Sequence, residues 1–296
     1  MKLFAIDLDG TLLKSDHTIS AENVSAIKKR QKDGDTILIA TGRASFDAQN
    51  ILRKHHVHDC PIIASNGAEL QYKVNENSIR SSTSIDPQTS EKIFRYLNEE
   101  DLYIQVYLED KILLESDATD ALLARATNEK VLNRSFSYDT FIHSIQAQLG
   151  QYGVHPIESI TKNDLSKVIK FMIVSPNQSL LKKVERRLSM INSCSISSSG
   201  AYNLEVMSAG ISKGEALKKV TSDYEIELRN TIAIGDNLND LSMFQVAGSS
   251  IAMKNADESI KNIATYETLD HNHNGVANAL NDYPSNLIER LKRVNI

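Results

Sequence analysis

Asp7 and Asp9 lie one residue apart at the end of the apolar run Leu3-Phe4-Ala5-Ile6, and Gly10 and Thr11 follow them. Two carboxylates this close make a poor hydrophobic core and a good site for a hard cation. The same residues would also suit an ordinary Asp-Gly turn, so the rest of the chain has to decide. Three further groups of the same character lie far away in sequence. Thr41-Gly42-Arg43 follows the apolar run 36–40. Lys213 lies where a helix pattern begins. Asp236, Asn239 and Asp240 follow the apolar run 231–234. Together they offer carboxylates for a cation, a hydroxyl, an amide and an ammonium for phosphate oxygens, and a spare carboxylate to act as nucleophile. Phosphoryl transfer calls for this set, since it depends on positioning, a metal and neutralised phosphate oxygens. An unshielded carboxylate does not approach a phosphate dianion, so a divalent cation and the lysine must both be close.

These groups need a scaffold that brings distant strand ends together. Short apolar runs bounded by turn signals are expected to form buried parallel strands. Runs of this kind occur at 3–6, 36–40 and 61–64, with helix patterns over 20–32 and 45–55 between them. Ser20 is the expected N-cap of the first helix and Gly34 its stop. Asn66-Gly67 is a hairpin turn signal leading into 68–72. The order β-α-β-α-β indicates a doubly wound sheet, whose ligands bind beyond the carboxyl ends of the strands.

The pattern then changes. Residues 81–84 are small and polar, suited to a linker, and Asp86-Pro87 opens a helix. Strands are expected at 102–108, 111–115, 167–174, 194–197 and 202–206, with a helix over 179–188. A less regular, mostly helical or loop region precedes residue 165. This reads as an inserted α+β unit with an antiparallel sheet. Residues 208–210 form a second hinge candidate. A helix from 211, a strand at 231–234, a helix over 241–246 and a strand at 250–253 resume the first pattern. The expected fold class is α/β: a Rossmann-like parallel core carrying an inserted α+β domain, with bounds 1–83, 84–207 and 208–296.

A length of 296 residues suits two domains, and 41% hydrophobic with 24% charged residues is ordinary for a soluble globular protein. The net charge of −5, without a long Lys/Arg block, disfavours nucleic acid or an anionic membrane as main partner. The chain starts directly in strand pattern and has no apolar run long enough to span a bilayer, so a cytoplasmic location is expected. Cys60 and Cys194 share no motif and are expected to be free, buried thiols. Oligomeric state is left open.

Asp7-Leu8-Asp9-Gly10-Thr11, Thr41-Gly42-Arg43, Ser212-Lys213-Gly214 and the stretch from Gly235 to Asp240 resemble, in this order, the four motifs of the haloacid dehalogenase (HAD) superfamily of phosphatases. The long insert between the second and third resembles the Cof-type branch with a type IIB cap. The resemblance spans essentially the whole chain. It implies that Asp7 is the nucleophile, giving an aspartyl phosphate, and that Asp9 is general acid and then base. It implies Mg²⁺ held by the Asp7 side chain, the main-chain carbonyl of Leu8 or Asp9, and Asp236. Thr41, the Gly42 amide, Lys213 and Asn239 would bind phosphate, and Asp240 would orient Lys213 or a metal-bound water. The insert would be a cap that closes over the leaving group, excludes water and reads a small phosphorylated metabolite, sugar phosphates first. The competing readings are a phosphomutase or phosphotransferase with the same intermediate, and a non-catalytic phospholigand-binding regulator.

Several residues have plainer readings. Arg43 is expected to be a structural ion-pair partner. His55, His56, His58, His271 and His273 lack a well-formed ligand set and read as solvated surface groups. Tyr103, Tyr107 and Tyr202 read as core or sheet packing rather than pocket lining.

Overall fold

The computed structural model describes residues 1–100, 102–133, 136–283 and 288–289. The chain divides into two compact units. One comprises Met1–Ser81 and Ser212–Ile296, the other Ser82–Ile211.

The first unit is built on a nine-stranded sheet. The strand Leu3–Ile6 lies at its centre, parallel to Thr36–Ala40 on one side and Thr231–Gly235 on the other. Its four residues are fully buried, which is why the run carries no polar alternation. Each such Ile, Leu or Phe contributes about 1.5–3 kcal/mol by leaving water. Ile62–Ala64 and Ser249–Ala252 continue the parallel order outward, and Tyr266–Glu267 pairs parallel beyond the latter. Antiparallel strands follow on both sides: Glu69–Val74 beyond Ile62–Ala64, next to the edge, and Ile288–Glu289 at the opposite edge. The parallel strands end at one sheet edge. That edge therefore receives Asp7, Thr41 and Asp236, the first and last of which are more than two hundred residues apart in sequence. The helix Ala21–Lys32 is capped by Ser20, whose hydroxyl accepts from the Asn23 amide, as the sequence indicated.

The second unit holds a six-stranded sheet. Cys194–Ser197, Asn203–Ser208, Lys170–Val174, Tyr103–Tyr107 and Ile112–Leu114 pair antiparallel in that order, and Val154–Pro156 adds a parallel edge. Period-2 alternation separates its faces. Ile104, Val106, Phe171, Ile173, Leu204 and Val206 pack under the helices Pro87–Asn98 and Gln178–Leu188. The opposite face carries Tyr103, Gln105 and Tyr107 with a buried Lys170–Glu205 ion pair of 2.7 Å. Lys170 also sits over the Tyr107 ring, 4.0 Å from its centroid.

Two expectations need correction. Ser81 and Ser82 are strand residues, since Asn77–Ser82 forms the edge strand beside Glu69–Val74. The region before residue 165, read as mostly helical or loop, contains two helices, Ala118–Leu132 and Tyr138–Leu149. Cys60 and Cys194 are free, but half-buried rather than buried.

Candidate active site

The site is assembled at the carboxyl edge of the core sheet. Asp7 is the first residue beyond its strand, tied by its amide to the carbonyl of Ile234 at 3.0 Å. The chain then turns at Gly10 in the left-handed region, φ 77°. A side chain there would collide with the Asp236 carboxylate, so glycine is required on two counts. The Thr11 hydroxyl donates to Asp236 Oδ1 at 2.7 Å, and Asn255 Nδ2 donates to the Gly10 carbonyl at 2.8 Å. These bonds hold the first and last motifs together.

Lys213 opens the helix Lys213–Asp223, with Ser212 as N-cap. A lysine at a helix N-terminus faces the positive end of the dipole and is unfavourable there. This one is fully buried, and two carboxylates offset the cost. Its ammonium donates to Asp7 Oδ1 and Asp240 Oδ1, both at 2.6 Å. Burial alone would lower the Lys213 pKa, but Asp240 and Asp7 outweigh it and raise it.

Asp240 is fully used by the protein. Its other oxygen accepts from the amides of Asp236 at 2.9 Å and Asn237 at 3.0 Å, closing a capping box with Asn237. Asp240 thus anchors the lysine and the loop.

Asp7, Asp236 and Asp240 place oxygens within 4.8 Å of one another. Three carboxylates beside one ammonium leave two negative charges uncompensated in a buried place. The electrostatics register this. Burial, first, and the nearby Asp240 push the Asp7 carboxyl up to about 7 despite Lys213. Burial, then Asp7 and Asp240, raise Asp236 as well. One oxygen each of Asp7 and Asp236 makes no hydrogen bond among the described residues. Oxygen ligands carrying an excess charge of two fit a hard divalent cation. Among the described residues no other group of His, Cys, Asp or Glu is close enough to share a metal. His273 instead pairs with Asp270, and His271 bonds the Ser15 hydroxyl.

Asp9 is held apart from this cluster. Arg43 grips it with two bonds, Nε to Oδ2 and Nη2 to Oδ1, each 2.7 Å. Its third contact is Asp47 Oδ2, also 2.7 Å. Arg43 is therefore an ion-pair partner, and one of its partners is a candidate catalytic group. Burial would raise the Asp9 carboxyl, but the charge and bonds of Arg43 outweigh it and hold it below the ordinary carboxylate range. As held, Asp9 is an ionised carboxylate.

Thr41 is buried at the end of its strand, and its hydroxyl accepts from the Arg43 amide at 3.1 Å. Its bonds run to Arg43 and the corner at residue 66, not to Asp7. Asn239 Nδ2 donates to Asn66 Oδ1 at 3.2 Å. Asp47 and Asn255 had no role in the sequence reading, and Asn66 was read only as part of a hairpin turn. Each is an unremarkable polar residue whose partner lies far along the chain or across a helix turn. In the inserted unit, Tyr103 and Tyr107 are buried and bond to Gln105, and Tyr202 packs edge-on to Phe141, all packing roles.

Comparison with known proteins agrees with this geometry. The family model for haloacid dehalogenase-like hydrolases matches residues 4–280. The 5-amino-6-(5-phospho-D-ribitylamino)uracil phosphatase YwtE of Bacillus subtilis is 36% identical over 281 residues, covering 94% of this chain and 96% of that protein. A solved haloacid dehalogenase-like hydrolase from B. subtilis superposes with a TM-score of 0.81 at 31% identity, over 96% of this chain and all of that one. The subclass IIB sugar phosphatase BT4131 shares the fold, with a TM-score of 0.74 at 22% identity over 96% and 99% of the two chains. The chain belongs to the haloacid dehalogenase-like hydrolases. It is a phosphatase of that family, a hydrolase acting on phosphomonoesters.

Proposed function

We propose that this chain is a Mg²⁺-dependent phosphatase of small phosphorylated metabolites that works through an aspartyl phosphate on Asp7. The observation that carries the reading is the buried cluster of Asp7, Asp236 and Asp240 around Lys213, with two negative charges in excess. Asp7, Asp236 and a main-chain carbonyl of Leu8 or Asp9 would hold the cation. When bound, it supplies charge neutralisation for phosphate oxygens and for the carboxylates.

The residues divide the work. Lys213 favours the ionised form of Asp7, against burial and Asp240, and offsets charge on the phosphate. Asp240 holds Lys213 in place. Thr41, the Gly42 amide and Asn239 orient the phosphate oxygens. An Asp7 oxygen bonds to phosphorus as the bond to the leaving oxygen breaks, and that oxygen takes a proton from Asp9. Water then attacks phosphorus, its proton returns to Asp9, and the Asp7 carboxylate is freed with inorganic phosphate. Asp9 can give a proton only when protonated and out of the Arg43 fork, so release from Arg43 belongs to the first step. The fork suits the second, in which Asp9 accepts.

The inserted unit, 84–207, is assigned as the cap that selects the leaving group. The relative named for a phosphoribitylamino-uracil makes phosphorylated sugar alcohols and sugar phosphates the first substrates to try. The test is a phosphate-release screen over these esters, nucleotides, and flavin and pyridoxal phosphates. Release is expected in Mg²⁺, with none in EDTA or in Asp7→Asn. Saturable binding without turnover of any ester would overturn the reading in favour of a phospholigand-binding regulator.

A further inference from the structure

The strand Ile62–Ala64 leaves the core sheet through three successive residues in the left-handed region: Ser65 at φ 46°, Asn66 at 55° and Gly67 at 109°. Glycine and asparagine adopt this conformation readily. A serine costs about 1–2 kcal/mol there. Hairpin turns commonly use left-handed residues of the Asn-Gly kind, so a hairpin between Ile62–Ala64 and Glu69–Val74 accounts for Asn66 and Gly67 but not for the preceding serine. Strain of this kind persists where the surroundings over-determine it.

The surroundings do so here. The Ser65 amide donates to the Arg43 carbonyl at 2.8 Å and the Asn66 amide to the Thr41 carbonyl at 3.0 Å. The Ser65 hydroxyl donates to Glu69 at 2.6 Å. Glu69 also accepts from the Ser45 hydroxyl at 2.7 Å and the Ser45 amide at 3.2 Å. Gly67 lies so close to the Ser212 carbonyl that a Cβ would strike it, and Ser212 caps the helix that carries Lys213. Asn66 is 2% exposed, and its Oδ1 receives the Asn239 amide.

We propose that Asn66 is a positioning residue of the phosphoryl site, acting through Asn239. A side-chain amide donates from one end and accepts at the other. Presented to a phosphate oxygen by its nitrogen, Asn239 attracts; turned over, its carbonyl repels. By accepting one Nδ2 hydrogen, Asn66 fixes the amide plane and leaves the second hydrogen for the anion. The strained corner exists to carry that acceptor, and its backbone ties it to the loop after Thr41. The inference rests on the phosphatase reading and on Asn239 as a phosphate donor.

A double-mutant cycle tests it, with kcat and KM for p-nitrophenyl phosphate in Mg²⁺ on wild type, Asn66→Gly, Asn239→Ala and the double variant. Glycine keeps the left-handed backbone accessible and removes only the amide side chain. Asn66→Gly is expected to lower kcat/KM about 10- to 100-fold. The double variant is expected to be no worse than Asn239→Ala alone, because both lose the same interaction. Thermal midpoints separate coupling from misfolding. Additive losses, a wild-type rate in Asn66→Gly, or a wild-type rate in Asn239→Ala each overturn the proposal. A wild-type enzyme that releases no phosphate from any ester overturns the phosphatase reading instead.

Discussion

The crowding of three carboxylates around one lysine makes a specific prediction about stability. The Asp7 carboxyl is pushed from 3.8 to about 7 in the folded, metal-free protein. Between those values the folded state holds a proton that the unfolded state has released. Folding stability therefore falls as pH rises from about 4 to about 7 and is level above that window. At about 1.36 kcal/mol per pH unit, the ceiling for this one group is on the order of 4 kcal/mol. Asp7→Asn removes the titration while keeping the shape. In EDTA, the stability of wild type minus that of Asp7→Asn should decline across the window and flatten above it. Mg²⁺ binds the ionised form, so the stabilisation it gives wild type should grow with pH over the same range. Urea unfolding at pH 5, 6, 7 and 8, with EDTA or Mg²⁺, measures both slopes. A difference that is flat or rises with pH in EDTA would refute the charge accounting, as would a Mg²⁺ effect independent of pH.

Other variants probe the remaining contacts. Lys213→Ala strips the ammonium that Asp7 and Asp240 share; it should cost about 3–5 kcal/mol of stability by denaturant titration and at least about 100-fold in kcat. Gly10→Ala forces a left-handed alanine against the Asp236 carboxylate; it should lower stability by more than the roughly 1–2 kcal/mol of backbone strain and raise the Mg²⁺ concentration for half-maximal activity about 10-fold. Arg43→Ala removes the groups that lower the Asp9 carboxyl, and Asp9 must be protonated in the first step, so the alkaline limb of the kcat/KM profile should move to higher pH; an unmoved limb would mean Asp9 does not set it.

The core sheet was legible because its strands are buried on both faces. Apolar runs such as 36–40 and 231–234 stop abruptly at polar residues, and that stop marks a sheet edge. Parallel order then brings the stops together, which is why Asp7 and Asp236 meet at one edge, while Lys213 reaches it from a helix start. The region before residue 165 was legible only as mostly helical or loop, without bounds for the helix Ala118–Leu132, for the converse reason. Its alanines and leucines are spread around the helix and draw no stripe. The edge strand Asn77–Ser82 is polar and mostly exposed, so it reads as linker. Asn66 was hidden by its own motif, since Asn-Gly signals a turn whether or not the asparagine has a second task. Nor does spacing reveal the Arg43 fork on Asp9. Any arginine near a sheet edge can find a carboxylate, and only the coordinates say that it is this one.

The covalent step on Asp7 is the centre of the proposed function. It can be seen directly by acid-quenching the enzyme during turnover in Mg²⁺ and mapping the peptides by mass spectrometry. The peptide containing Asp7 is expected to carry one phosphoryl group, absent from Asp7→Asn. A phosphoryl group on another residue, or phosphate release by Asp7→Asn at the wild-type rate, would contradict the assignment.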